Sequence, residues 1–203
     1  MRRWGVSSWA PMLATLITIL LTQNSQSPSC HTSGGAVACG YHCRAELGEV
    51  RCAQTPEGIC QRLEGQLVCW DPPEEVRLHD SSHTPRCKAK RGEIACGYSC
   101  ATSETKLACA QTPWGVCTTR YDEVVCWDPP PAIIHHFTDE LKGASCISTE
   151  TAYACGWNCK QVRSEAQCAQ SPRGTCSSQD GRLYCFEPPV PPVSHAPPAT
   201  RLP

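Results

Sequence analysis

The chain has 203 residues, a formal net charge of −1 and 18 cysteines. Leu, Ile, Val and Phe make up about 16% of it, below the roughly 20% that a chain without cross-links needs to bury a core. The density, even count and regular spacing of the cysteines indicate a disulfide scaffold in an oxidising compartment and argue against a cytosolic enzyme. The near-neutral charge gives no reason to expect nucleic acid or an anionic membrane as a partner.

Residues 1–27 are predicted to be a secretory signal peptide. Arg2 and Arg3 supply its positive start, and the apolar core runs from Ala10 to Leu21. This core is shorter than the roughly 20 residues that span a bilayer, although an uncleaved membrane anchor remains the alternative. We therefore expect a secreted, cell-surface or periplasmic protein with no membrane span after the signal is removed.

Three modules with the same cysteine spacing, Cys-x8-Cys-x3-Cys-x8-Cys-x7-Cys-x8-Cys, form a tandem array. The modules are residues 30–73, 87–130 and 146–189. Linkers 74–86 and 131–145 separate them, and each can either pack on a neighbouring module or stay mobile. Apart from one or two turns within 135–142, no segment has helical periodicity. The proline-rich tail, 190–203, is predicted to be extended.

Each module contains three ten-residue units that begin and end with cysteine, and each unit is predicted to be a β-hairpin. Position 6 is mostly glycine, and position 8 is mostly Val, Leu or Ile. A two-residue loop at positions 5 and 6 requires positive φ, which glycine tolerates. This loop pairs position 1 with position 10 at a non-hydrogen-bonded site, where the Cα atoms approach to about 4.5 Å. The two cysteines of each hairpin can then bond to each other, whereas a three-residue loop would shift the register and prevent it.

The predicted fold is therefore small, disulfide-rich and mainly β, with three tandem modules of about three short hairpins each. The cysteines assigned to structural disulfides are Cys30, Cys39, Cys43, Cys52, Cys60, Cys69, Cys87, Cys96, Cys100, Cys109, Cys117, Cys126, Cys146, Cys155, Cys159, Cys168, Cys176 and Cys185.

Three motifs recur in the modules: Ala-Cys-Gly-(Tyr or Trp)-x-Cys, Cys-Ala-Gln-(Thr or Ser)-Pro-x-Gly-x-Cys, and a final aromatic, acid and Pro-Pro. The set resembles the tandem six-cysteine modules of uncharacterised secreted proteins of myxobacteria and similar bacteria. The resemblance spans Cys30 to Pro189, and module 3 departs from it only in close replacements such as Phe186 and Glu187. It implies a bacterial, exported protein and carries no particular activity.

The sequence favours neither catalysis nor a cofactor. Most histidines lie in the linkers or the tail, and the recurring acids Asp71, Asp128 and Glu187 occur once per module, so they form no carboxylate pair. We expect them to cap turns beside Pro-Pro. The close cysteines are spaced Cys-x3-Cys rather than the Cys-x2-Cys of zinc knuckles, and His135-His136 is a weaker metal candidate still. We predict no enzyme, no cofactor and no metal.

The Cys-x7-Cys loops support a sharper alternative, a secreted serine-protease inhibitor. Each loop contains Thr-Pro or Ser-Pro and resembles the short proline-braced loops of Bowman–Birk-type inhibitors. In that comparison the protease would read Gln54, Gln111 or Gln170. A pre-organised loop loses little entropy on docking, but this one is rigid only if its flanking cysteines are held together. The competing interpretation is that Pro-x-Gly simply turns the chain.

Binding candidates are the variable loop tips and the recurring aromatic residues. Glu57, Trp114 and Arg173 occupy the tip between Pro and Gly, and an exposed indole at Trp114 would indicate a partner. Six aromatic residues either stack on a glycan or pack on the disulfides: Tyr41, Trp70, Tyr98, Trp127, Trp157 and Phe186. We expect a structural, adhesive or cell-surface interaction role toward an extracellular protein or polysaccharide, with inhibitor and glycan-binding module as alternatives.

Overall fold

A computed structural model describes residues 27–79 and 82–190. Within these ranges the chain folds into short antiparallel hairpins, as the sequence predicts. The predicted signal peptide lies outside the described residues except for its last residue, as does the proline-rich tail beyond Val190. No helix among the described residues is long and apolar enough to cross a membrane.

The strands follow the three modules. Module 1 contains β1 Ser29–Ser33, β2 Ala36–Glu46, β3 Glu49–Ala53, β4 Ile59–Leu63 and β5 Gln66–Trp70. Module 2 contains β6 Arg86–Lys90, β7 Glu93–Gly97, β8 Cys100–Thr102, β9 Leu107–Cys109, β10 Val116–Arg120 and β11 Glu123–Trp127. Module 3 contains β12 Ser145–Ser148, β13 Tyr153–Val162, β14 Glu165–Ala169, β15 Thr175–Gln179 and β16 Arg182–Phe186.

Each hairpin is cross-linked by its own two cysteines. In the first hairpin Cys30 pairs with Cys39 and Ser33 with Ala36, which leaves Gly34-Gly35 as the two-residue loop. All nine disulfides join positions 1 and 10 of one unit, with Cα–Cα distances of 3.9–4.1 Å. No described cysteine is free. The predicted register and pairing are confirmed, and the shifted register of a three-residue loop does not occur.

Seven loops have the predicted positive φ at position 5, five of these also have it at position 6, and two loops have it at neither position. Position 5 has a φ of 46–56° in the seven hairpins that include the Gly34 and Asp180 loops. The exceptions have Thr105 and Thr151 at position 6, where a β-branched side chain resists positive φ. Both keep the register, because Ser103 N donates to Lys106 O and Thr149 N donates to Ala152 O. A hydroxyl at position 4 then accepts the returning N–H in each loop.

Both linkers form short helical segments, which the sequence analysis largely missed. Helix α1 is Glu74–His79, helix α2 is Pro131–His136, and a 3-10 turn follows at Thr138–Glu140. The prediction of turns within 135–142 was correct in kind, but α2 begins earlier, at the proline that follows Pro130. Six residues are too few to display a helical period, so no sequence pattern predicted α1. Both linkers pack on other parts of the chain.

The buried core is small and distributed over the array. The alanines of Cys-Ala-Gln, Ala53, Ala110 and Ala169, are completely buried in their modules. The larger apolar cluster forms where the second linker packs on module 3. It contains Ile133, Ile134, Phe137, Leu141, Trp157, Ala169 and Cys176. In the first linker Val76 is buried as well. The cross-links therefore support modules whose own apolar content is low.

We expect every disulfide of the purified chain to lie within one hairpin. Cleavage after the aromatic residue of Cys-Gly-(Tyr or Trp)-x-Cys separates hairpins 1 and 2. Cleavage at Glu57, Trp114 and Arg173 separates hairpins 2 and 3. Non-reducing peptide mapping should then recover three separate cross-linked hairpins per module and no alkylated thiol. A peptide joining Cys52 to Cys60, or its counterparts in the other modules, would contradict the fold.

Candidate functional site

The recurring acid of each module holds the Cys-Ala-Gln-Thr-Pro loop. In module 1 the Asp71 carboxylate accepts the backbone N–H of Gln54 at 2.9 Å and the N–H and hydroxyl of Thr55 at 2.8 and 2.9 Å. In module 2 Asp128 accepts from Gln111 and Thr112 at 2.8–3.0 Å. Three donors converge on one carboxylate, so the acid satisfies a loop that has no strand partner there.

Module 3 keeps this arrangement with a longer acid. Glu187 accepts from the backbone N–H of Gln170 and, at 2.7 Å, from the hydroxyl of Ser171. Each acid does hold a turn, but the turn is the Cys-Ala-Gln-(Thr or Ser)-Pro loop 16–17 residues earlier in the chain and not the predicted one beside Pro-Pro. Each of the three carboxylates is thus occupied by donors of its own module.

The recurring glycines leave room for this network. A Cβ added to Gly58 would lie 2.3 Å from Asp71 Oδ1 and 2.6 Å from the Ala53 Cβ. A Cβ added to Gly40 would lie 2.3 Å from the Ala53 carbonyl oxygen. Gly97, Gly115, Gly156 and Gly174 meet the same obstacles in modules 2 and 3. The three motifs therefore pack as one unit. Because the glycines have no side chain, the alanine and the acid can approach them closely.

This geometry does not suit a protease-binding loop. The residue that follows the glutamine is buried in modules 2 and 3, with exposed fractions of 5% for Thr112 and 1% for Ser171, and Thr55 of module 1 is half-buried. The flanking cysteines of each loop bond within hairpins 2 and 3 rather than to each other. The loop is rigid because a carboxylate of the same module accepts hydrogen bonds from it. These bonds hold the residue after each glutamine against the module.

Four of the six recurring aromatic residues pair between modules. Trp70, at the end of module 1, meets Tyr98 of module 2 edge to face with ring centroids 5.8 Å apart. Trp127, at the end of module 2, meets Trp157 of module 3 in the same way at 5.2 Å. Trp157 is only 3% exposed. These rings are committed to module contacts, so they do not form the open stacking ladder considered for a glycan site.

A hydrogen bond accompanies each aromatic pair. Trp70 Nε1 donates to Gln111 Oε1 at 3.1 Å, and Trp127 Nε1 donates to Gln170 Oε1 at 3.2 Å. The glutamine amides are oriented by their own modules, since Gln111 Nε2 donates to the carbonyls of Cys96 and Cys109. The candidate protease-reading glutamines of modules 2 and 3 are thus acceptors for the preceding module. The sequence analysis did not predict this acceptor role. A sequence difference points to it: modules 1 and 2, which are followed by another module, end in tryptophan, whereas module 3 ends in Phe186.

The loop tips of modules 2 and 3 contact the second linker. Trp114 is half-buried against the cluster of Ile133, Ile134 and Phe137. The expectation of an exposed indole was wrong, because residues of the second linker pack against this tip and no sequence pattern predicts that contact. Partner binding through Trp114 therefore loses the premise on which it was proposed.

Arg173 occupies the same tip position in module 3. Its guanidinium forms a two-bond ion pair with Glu140 and lies 5.4 Å from the centroid of the Phe137 ring. Hydrogen bonding to Arg173, and then its charge, lowers the pKa of Glu140. Glu57, the tip of module 1, is half-buried. The tips of modules 2 and 3 therefore both contact the second linker at Phe137.

A histidine pair joins the two linker helices. His79 of α1 and His135 of α2 share a hydrogen bond of 2.8 Å between Nε2 and Nδ1, and their rings meet edge to face. Burial, and secondarily the charge of His135, lowers the pKa of His79. His135 thus pairs with His79 rather than acting beside His136. Among the described residues no group of three His, Cys, Asp or Glu side chains is arranged to hold a metal ion.

Comparison with known proteins adds no name to this site. No protein-family model matches the chain, and neither the curated proteins nor the solved structures give a match.

Replacing the acid that holds the loop should destabilise its module. We expect Asp71→Asn or Asp128→Asn to lower the free energy of unfolding by about 1.5–3 kcal/mol, because the amide retains one acceptor but places a donor against backbone N–H groups. Denaturant unfolding under oxidising conditions measures the change. Asp139→Asn, at an exposed position of the linker, is the control and should change little. An equal decrease in the free energy of unfolding in all three variants would contradict the stabilising role of the acid.

Acidification should loosen the contact between α1 and α2. Because the pKa of His79 is lowered in the folded protein, the unfolded chain binds more protons just below the usual histidine pKa of about 6.5. Stability present above that pH is therefore lost as the pH falls through this window. Thermal unfolding between neutral and mildly acidic pH measures the loss. His79→Gln should flatten the dependence, whereas His31→Gln, at an exposed position of β1, should preserve it; identical profiles would refute the role of the pair.

Proposed function

We propose that this protein is an exported structural or adhesive repeat protein that acts as a rigid scaffold at a cell surface or in an extracellular matrix. Its partner is an extracellular protein or a polysaccharide. The observation that carries the proposal is the module contact that occurs twice in one chain, in which a terminal tryptophan packs on an aromatic ring and donates to a glutamine of the next module. A contact repeated with the same atoms fixes one module on the next and favours a defined shape over loosely tethered beads.

The docked linkers support the same conclusion. Helices α1 and α2 meet through His79 and His135, and Trp114 and Arg173 hold the second linker from two modules. Linkers that were only tethers would leave their apolar residues exposed, whereas Val76 and Ile134 are about 1% exposed. The array is therefore braced by side chains from both linkers.

The disulfides support export. Nine disulfides and no free thiol among the described residues fit an oxidising compartment, where thiols are not kept reduced. The resemblance to exported bacterial modules and the apolar N-terminal segment favour the same address and a bacterial origin. Closing each ten-residue loop contributes on the order of 2–3 kcal/mol, which suits a protein that must persist outside the cell.

The two terminal tryptophans should determine the shape of the array. We expect Trp70→Ala and Trp127→Ala each to remove roughly 2 kcal/mol of coupling between modules, from lost apolar contact and one hydrogen bond. Small-angle scattering should show a larger radius of gyration, with the disulfides intact. Leu47→Ala, at a position of module 1 that is 89% exposed, is the control and should leave the radius of gyration unchanged. No change of shape in the tryptophan variants would contradict the rigid array.

The role itself is tested by attachment. Folded protein should co-sediment with insoluble cell-wall or matrix polysaccharides, or bind immobilised extracellular protein, and reduced and alkylated protein should not. Nanomolar inhibition of trypsin, chymotrypsin or subtilisin would instead establish the inhibitor function. Failure to attach to any of these surfaces, together with such inhibition, would overturn the scaffold proposal.

A further inference from the structure

The end of module 3 exposes the residues that modules 1 and 2 cover. Phe186 occupies the position of Trp70 and Trp127, and it is 63% exposed, whereas both tryptophans are half-buried against the following module. Tyr184, two residues earlier on the same strand, is 53% exposed. Since side chains two apart on a strand point to the same face, the two rings form one exposed aromatic patch, which we call the tail face.

Module 1 presents the complementary surface at its other end. Tyr41 and Gln54 correspond to Tyr98 and Gln111, the residues that receive Trp70. Gln54 Nε2 donates to the Cys52 carbonyl at 3.3 Å, as Gln111 Nε2 does to Cys109. One of the two bonds to carbonyls that orient the Gln111 amide is therefore repeated at Gln54. Within the described residues no group donates to Gln54 Oε1, and we call this surface the head face.

We propose that the tail face of one copy of this chain docks on the head face of a second copy, so that the protein assembles head to tail. The contact continues the one already present twice in the chain: an aromatic residue at the end of one module packs edge to face on the ring after Cys-Gly of the next. A second copy is the partner that this surface fits, because the chain itself supplies both complementary faces.

The chemistry of the contact determines its strength. Phe186 keeps the aromatic edge for Tyr41 but lacks the indole N–H that Trp70 gives to Gln111, so the docking between copies lacks one hydrogen bond. It also lacks a linker to hold the partners near each other. The association is consequently weaker than the internal contacts and depends on concentration. Because head and tail are different surfaces, the assembly is heterologous and grows into a filament or closes into a ring.

The inference goes beyond the proposed function and does not require it. It depends on the module contact alone, and purified protein in solution tests it. Loss of attachment to a matrix would leave head-to-tail assembly standing, and absence of assembly would leave the scaffold role standing.

The experiment measures the mass of the full chain by analytical ultracentrifugation from micromolar to millimolar concentration. We expect the mass to rise with concentration. Phe186→Trp should tighten the association roughly fivefold, the factor that one neutral hydrogen bond contributes. Phe186→Ala and Tyr41→Ala should each weaken it by a similar or larger factor, and Gln54→Ala should cancel the gain of Phe186→Trp. Leu47→Trp, which places an indole at an exposed loop of module 1, is the control for added surface tryptophan and should behave as the unmodified chain.

A mixing experiment tests the direction of assembly. A Tyr41→Ala copy keeps an intact tail and a Phe186→Ala copy keeps an intact head, so an equimolar mixture should form dimers and stop there. A contact between two like faces would instead let one of the two variants associate with itself at full strength. That result would overturn the proposal. Two other results would also overturn the proposal. One is that the unmodified chain and the Phe186→Trp variant both stay monomeric, and the other is that neither alanine variant weakens the association.

Discussion

The closure of ten-residue hairpins by disulfides between their first and last residues is the constraint on which this structure depends. A two-residue loop places positions 1 and 10 at a close, non-hydrogen-bonded pair, and the cysteines there bond across a Cα separation of about 4 Å. Each cross-link fixes the register of one hairpin, so every side chain of that hairpin has a fixed face. With little apolar material available, this covalent register replaces the large core that would otherwise select one strand pairing.

The disulfides do not by themselves make the hairpins pack on one another. The residues of the three motifs provide the contacts between hairpins. The alanine after the fourth cysteine is buried under a glycine of the first motif, and the acid of the third motif satisfies the loop of the second. These contacts are polar and steric rather than broadly hydrophobic. They explain why the motif residues tolerate only close replacements, such as Glu187 for aspartate and Ser171 for threonine, while most other positions differ between modules.

The sequence predicted the hairpins, their register and their disulfides because all three follow from local spacing and loop chemistry. It did not predict which modules touch, because Trp70 and Gln111 are far apart in the chain and meet only once both modules and the linker are in place. Trp114 was misread for the same reason: a loop tip looks exposed until α2 lies over it. The histidine pair joins residues from two linkers, and neither linker carries a pattern that indicates the other.

Stability is therefore divided between two levels that respond to different conditions. Within a hairpin the cross-link spans only nine residues, so it stabilises that hairpin and its immediate neighbours and contributes nothing directly to the join between modules. The joins depend on aromatic edges, single hydrogen bonds, an exposed ion pair at Arg173 and the histidine pair. Oxidising conditions protect the first level, whereas pH and salt act on the second. An array built in this way can change its shape without unfolding its modules, since the contacts that set the shape are not those that hold each module together.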